Sequence, residues 1–423
     1  MRIHGLHFGI KGDGVTDDTA ALLAALISRQ PISLYGLRVR VTQPIILNDD
    51  HADLIDVDGG HPSRSAIIFD GLTETHLEIS DLADVRLRNL TICCTGTQTG
   101  SNYGVHLRRC DRPQLEFLHV LNPDNVGILL FECSSGSISH CHIENTSKRY
   151  EAGATGTAIQ LAGCSFTIVR DCYARRTNFS FSCLGKEYTD NAESTPGEPI
   201  TRPVRETLGN VFLCCHAEEH WGTAFNANGI DGVRFLACTA AKKGGVSTHP
   251  TFQFKDPKNR REATRYNAMI GCHADVVYSG FYEQGGSLNL WQACTVHGAD
   301  RFGFRFNLAA NCVVSDCIAG DVSLKPDPGI NGAFVVRQSE ACIVDGCVVA
   351  LEPDCSPRAA LVSVEMTSAH TTIGNVSSGG KAPIGISVAR DADLTRVLDG
   401  CLCALDTAVT PVVDKSRTTV WGK

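Results

Sequence analysis

A short pattern ending in cysteine recurs along most of this chain, and its spacing constrains the fold more than any other feature. Two β-branched or aliphatic residues and a small or polar residue lead into Cys141, Cys172, Cys215, Cys238, Cys272, Cys294, Cys317 and Cys347. Leu90, Val120, Val376 and Cys401 hold the same place in related segments. The shortest steps between these positions are 21, 22 and 23 residues, and longer ones, up to 43, read as the same unit carrying an insertion. A second pattern runs out of phase with the first. It is a glycine followed by alternating residues, as in GVHLRR from Gly104, GTAIQL from Gly156, GFRFNL from Gly303 and GAFVVR from Gly332. Each repeat therefore holds at least two short strands separated by tight turns.

A repeat of this length leaves no room for a helix between strands, which excludes a (β/α)₈ barrel. A propeller blade needs about 40 residues, and the leucine and asparagine frame of a leucine-rich repeat is absent. What remains is a coil of parallel strands. About twelve rungs stacked at ~4.8 Å would form a rod of roughly 60 Å. The cysteines then lie above one another inside it, as small soft hydrophobes in a tight corner. Twenty cysteines in 423 residues, without paired CxxC motifs at zinc spacing, read as packed thiols rather than disulfides or metal ligands.

Composition supports a long core and narrows the partners. Apolar residues make up 43% of the chain and charged residues 20%, unlike a disordered chain. The net charge of -8 disfavours nucleic acid, and no apolar run suits a membrane span. The start, MRIHGLHFGIKGDG, lacks the apolar region of a secretory signal. With so many thiols, this leads to the expectation of a reducing, cytoplasmic location, with a phage origin also allowed.

Residues 17–29, DDTAALLAALISR, form the one clear helix, with Asp17 or Asp18 placed to cap it. Strand-like segments follow at 33–41 and 44–47. A solenoid needs its first rung covered, and this helix would be the lid. The segment FGIKGDGVTDDTAALLAAL, residues 8–26, resembles the opening motif of the pectate-lyase-like, right-handed parallel β-helix superfamily. That superfamily includes polygalacturonases, other glycoside hydrolases, inulin fructotransferases and phage tailspikes. The resemblance implies an all-β fold: a right-handed single-stranded parallel β-helix of about twelve rungs with an N-terminal capping helix. We expect a cap over 1–50, the β-helix over 51–410 and a tail over 411–423.

The opening motif places a fold and not a reaction. The polygalacturonase set of Asn-Thr-Asp, Asp-Asp, Gly-His-Gly and Arg-Ile-Lys is missing from the body of the chain, as is the Asp-Pro-His of alginate epimerases. Alternation in the second pattern puts Val105, Leu107, Ile159, Leu161, Phe179, Phe181, Phe225, Phe252, Phe254, Phe304 and Phe306 inside. It puts His106, Arg108, Gln160, Ser180, Ser182, Asn226, Asn228, Gln253, Lys255, Arg305, Asn307 and Arg337 outside. A row of amides and cations along one outer face suits a sugar. Insertions at 185–206 and 255–266, with segments 216–222, 242–250 and 297–303, would wall the middle rungs.

Glycoside cleavage needs two carboxyl groups. The candidates are Glu218 or Glu219 with Asp256 or Glu283. Adjacent carboxylates raise one pKa, and Tyr282 and Glu283 lie in a segment that reads as a bulge. Trp221, Asn226, Asn228, Gln253, Lys255, Tyr282, Arg305 and Asn307 are the candidate substrate-binding residues. No aspartate cluster suits calcium, so neither a metal nor a cofactor is expected. The expected function is cleavage of a glycosidic bond in an oligosaccharide or glycoside by a carboxylate pair, with an oligosaccharide or polysaccharide as the expected partner. A lyase or uronate epimerase acting on an anionic glycan, an intramolecular fructotransferase and a non-catalytic glycan-binding rod are the alternatives, and a homotrimer is allowed.

Overall fold

The computed structural model describes residues 2–51, 54–71, 76–95, 103–146, 156–185, 208–241, 249–256, 264–275, 277–322, 332–350, 360–378, 384–398, 410–414 and 419–421. The chain divides into two units, Met1–Trp221 and Gly222–Lys423. Each is a stack of parallel strands laid out on three faces, most described rungs giving one strand to each face.

In the first unit the first face is built from Ile45–Leu47, Leu77–Ser80, Tyr103–Arg108, Val126–Phe131, Thr157–Ala162 and Phe179–Leu184. The second face holds Ser137–Ser139, Ile168–Arg170 and Val211–Leu213, and the third holds His142–Glu144, Tyr173–Arg175 and His216–Glu218. In the earlier rung Gln114–Leu121 the second and third faces are one strand. The second unit repeats the plan. Its first face runs from Phe225–Asn228 through Pro250–Lys255, Ser279–Gln284, Phe302–Asn307, Gly332–Arg337, Ala360–Glu365 and Ile384–Val388 to Thr410–Asp414.

A single residue in the left-handed conformation makes the corner between the second and third faces. His140, Asp171 and Cys214 have φ of 52°, 51° and 50°, and Ala293 and Asp316 have 51° and 54°. A non-glycine residue held this way costs roughly 1–2 kcal/mol. The stack offsets the cost, because corner N–H groups donate to a carbonyl one rung on: His140 to Arg170 at 3.1 Å, Asp171 to Leu213 at 3.0 Å, and Ala293 to Ser315 and Asp316 to Asp345 at 3.1 Å. The cysteine that follows each corner points inward. The Cys172 thiol lies 3.3 Å from the Arg170 carbonyl and 3.8 Å from that of Ile138, a rung below. Cysteine fits here because it is small, apolar and a weak donor. Every described cysteine is a free thiol. A further thiol column, not legible in the repeat, follows the first face of the first unit at Cys110, Cys133 and Cys164, all buried.

Inside the second unit, phenylalanines stack rung on rung. Ring centroids are 4.7 Å apart for Phe225–Phe252, 4.6 Å for Phe252–Phe281, 4.8 Å for Phe281–Phe304 and 5.0 Å for Phe304–Phe334. The spacing is that of the strands, so the backbone imposes it and burial of the rings stabilises it.

The structure corrects three sequence expectations. The helix spans Thr19–Ile27, shorter than 17–29. Asp18 makes no side-chain cap bond. Its buried carboxylate instead accepts from the backbone N–H groups of Lys11 at 2.8 Å and Gly12 at 2.9 Å, while Asp17 accepts from Thr19 N–H at 3.1 Å. The aspartate of the opening motif thus ties down the glycine-rich loop. Phe179 is not core: it is half-buried, and Ser180 is the enclosed residue, bonded to Thr177 at 2.8 Å. Register explains this, because Phe181 rather than Phe179 pairs with the inward Ile159. Parallel pairing begins within residues 1–50, where Arg38–Val41 pairs with Ala66–Phe69 and Ile45–Leu47 with Leu77–Ile79.

Candidate functional site

On the first face of the second unit, alternate residues point away from the phenylalanine core. Register sets them in two columns. One runs Asn226, Gln253, Tyr282, Arg305, Val335, Ser363, and the other Asn228, Lys255, Gln284, Asn307, Arg337, Glu365. Seven of the expected substrate-binding residues are thereby neighbours: Asn226, Asn228, Gln253, Lys255, Tyr282, Arg305 and Asn307. Although it faces outward, Val335 is only 1% exposed, and it packs with Phe302 and Tyr282. This stretch is therefore a recess and not open surface.

Arg305 is the centre of the recess. Its guanidinium lies 5.4 Å over the Tyr282 ring and 5.6 Å over Phe302. Its Nε is enclosed without a hydrogen-bond partner, and neither Arg305 nor Arg337 is paired with a carboxylate among the described residues. Burial pulls the Arg305 pKa below its ordinary value, yet a guanidinium stays charged. The Tyr282 hydroxyl accepts from Asn307 Nδ2 at 3.3 Å. Asn226 Oδ1 and Asn228 Oδ1 are likewise enclosed and unpartnered. Glu365 closes the row. Burial raises its pKa, opposed by a bond from Ser363 at 3.1 Å and by the charges of Arg305 and Arg337. The recess thus combines a stacked cation, open amides and a carboxyl group that protonates readily. Glu365 is not among the residues expected from sequence, where its only signal is its place two rungs beyond Asn307 in the outward phase.

The four expected carboxylates lie elsewhere. Glu283 sits in the inward column between Phe254 and Phe306 and is 0% exposed. Its strand, Ser279–Gln284, keeps regular register, so the expected bulge is absent. Asp256, just past the end of its strand, is also 0% exposed, its N–H bonded to the Gln284 carbonyl at 2.7 Å. Neither can reach a ligand on the outer face. Glu218 and Glu219 belong to the first unit. Glu218 accepts from the Tyr173 hydroxyl. Glu219 bridges Arg175 at 3.0 Å and Arg176 at 2.8 Å, which hold its pKa below the ordinary value. The expected upward push from an adjacent carboxylate is thus reversed at Glu219, because two guanidinium groups outweigh one neighbour. Trp221 is half-buried in the same unit, its backbone N–H donating to the Thr177 carbonyl at 3.0 Å. The insertion at 185–206, residues 242–248 and 257–263 lie outside the described residues, and with them most of the expected walls.

The rung plan has close structural counterparts. An N-terminal fragment of gene product 12 of bacteriophage phi29 superposes with a TM-score of 0.67 at 11% identity, over 99% of this chain and 71% of that one. The chain has the right-handed parallel β-helix fold. The tailspike protein of E. coli bacteriophage HK620, solved in complex with a hexasaccharide, matches this β-helix with a TM-score of 0.55 at 10% identity, over 99% of this chain and 80% of that one. The catalytic unit of a GH87 α-1,3-glucanase from Streptomyces thermodiastaticus matches with a TM-score of 0.52 at 13% identity, over 99% and 69%. No family model and no curated protein sequence matches the chain. Among the described residues, no helix is long and apolar enough to cross a membrane.

Proposed function

We propose that the protein is carbohydrate-active and that the recess on the first face of its second unit binds a glycan bearing an acidic sugar. The observation that carries this reading is Arg305. It is an enclosed cation stacked on two aromatic rings, without a carboxylate partner among the described residues. A sugar carboxylate would supply the missing charge, and Asn307, Arg337 and Lys255 would take further oxygens. The tailspike crystallised with a hexasaccharide supports glycan binding on such a scaffold. Calorimetric titration with uronate-containing and neutral oligosaccharides tests the reading. Binding of the acidic set alone, lost in Arg305→Ala, is the expected result; equal binding of both sets, or no effect of the substitution, overturns it.

A second reading, cleavage of the bound glycan, rests on Glu365. A carboxyl group whose pKa burial raises is suited to deliver a proton to a leaving-group oxygen. Product mass and unsaturated-uronate absorbance separate hydrolysis from elimination. Glu365→Gln would abolish either while leaving binding intact.

A further inference from the structure

The third face of the first unit carries a separate constellation. His119 and His142 occupy the same outward position on successive rungs, paired in register. Their rings stack at 4.7 Å with an interplanar angle of 18°. Glu144, two residues beyond His142, directs Oε1 to 3.2 Å from His142 Nε2. His119 Nε2 is shielded from solvent and has no hydrogen-bond partner. One ligand atom from each of the three residues lies within 4.8 Å of the others.

We propose that His119, His142 and Glu144 form a binding site for a divalent transition metal ion, with zinc as the best match. Two neutral imidazoles and a carboxylate are the donor set of open zinc sites, which keep a further position for water or a ligand. Donor atoms around a tetrahedral ion at Zn–N of about 2.0 Å lie ~3.3 Å apart. The two stacked rings would turn about their side-chain torsions to aim at a shared ion, while the paired strands hold their backbone positions.

The surroundings favour the ion. Arg175, the nearest cation one rung on, is drawn off by Glu219 at 3.0 Å. Tyr173 meets His142 edge-on at 4.7 Å and donates to Glu218, which fixes the ring from the other side.

Titration of the full chain with Co²⁺, read by its visible d–d absorption, and with Zn²⁺ against a chromophoric chelator tests the site. One equivalent should bind. His119→Ala and His142→Ala should each weaken binding roughly 100-fold or more, beyond the 10–100-fold cost of losing an outer-shell partner. Glu144→Gln keeps the shape of the side chain and should weaken binding without altering the melting curve. His297→Ala, beside Asp275 and Asp321 in the second unit, should change nothing. Absence of binding, binding indifferent to all three substitutions, or a thiolate charge-transfer band showing that cysteines hold the ion would each overturn the proposal.

Discussion

Glu283 and Phe254 hold the same inward position on successive rungs of the second unit. A carboxyl group thus stands where its neighbours place a benzene ring. It is folded tightly over Gly286, where any Cβ would collide with it. Burial, with Cys312 and Asp256 nearby, pushes its pKa well above the ordinary 4.5. The folded state therefore holds this proton at pH values where the unfolded chain has lost it. Stability should fall as pH rises from the ordinary 4.5 towards the folded value. The slope for one proton is about 1.4 kcal/mol for each step of one in pH. Glu283→Gln should flatten that slope, so its melting temperature should gain on that of the parent protein as pH rises above 4.5. Thermal melts across pH compare the two proteins, and an unchanged slope would sink the assignment.

Phe281→Ala should cost about 3–5 kcal/mol, because it opens a cavity between Phe252 and Phe304 that rigid strands cannot close. Phe117→Ala, at a position 43% exposed, should cost less than about 1 kcal/mol. Urea unfolding gives both values.

Asp18→Ala removes the acceptor for two backbone N–H groups in the opening loop. With hydrogen bonds to a charged group worth about 1.5–3 kcal/mol, the substitution should lower stability by at least that much. Asp17→Ala, whose bonds from Thr19 and Thr42 are exposed to solvent, should cost less in the same denaturation experiment.

Alkylation of the native protein, mapped by mass spectrometry, should label Cys214 first and Cys93 more slowly among the described cysteines. Cys214 is exposed, whereas Cys93 is half-buried with its pKa raised by burial. Cys133, Cys172 and Cys272, whose thiols burial pushes well above the ordinary value, should stay unmodified until the protein unfolds.

Arg305 favours the ionised form of Glu365, so Arg305→Ala should move the Glu365 titration further upward. Carboxyl-carbon NMR, with Glu365→Gln to assign the signal, reads the change. A downward movement or none would show that the two charges do not share the recess.

The sequence by itself determined the solenoid. A short repeat with apolar alternation admits few folds, and the corner cysteines mark its phase because only a small inward residue fits after a left-handed turn. The outward row of Asn226, Gln253, Tyr282 and Arg305 was legible for the same reason. Tertiary structure decided what stacks on what. Steps between repeats range from 21 to 43 residues, so pairing of one rung with the next depends on register that no local pattern carries. That register turned Glu283 inward and brought Glu365 into line with Arg337. It also laid His119, 23 residues away in the chain, against His142. The role of Asp18 was hidden likewise, because a helix-capping residue and a loop-tethering residue look the same until the loop is folded back upon it.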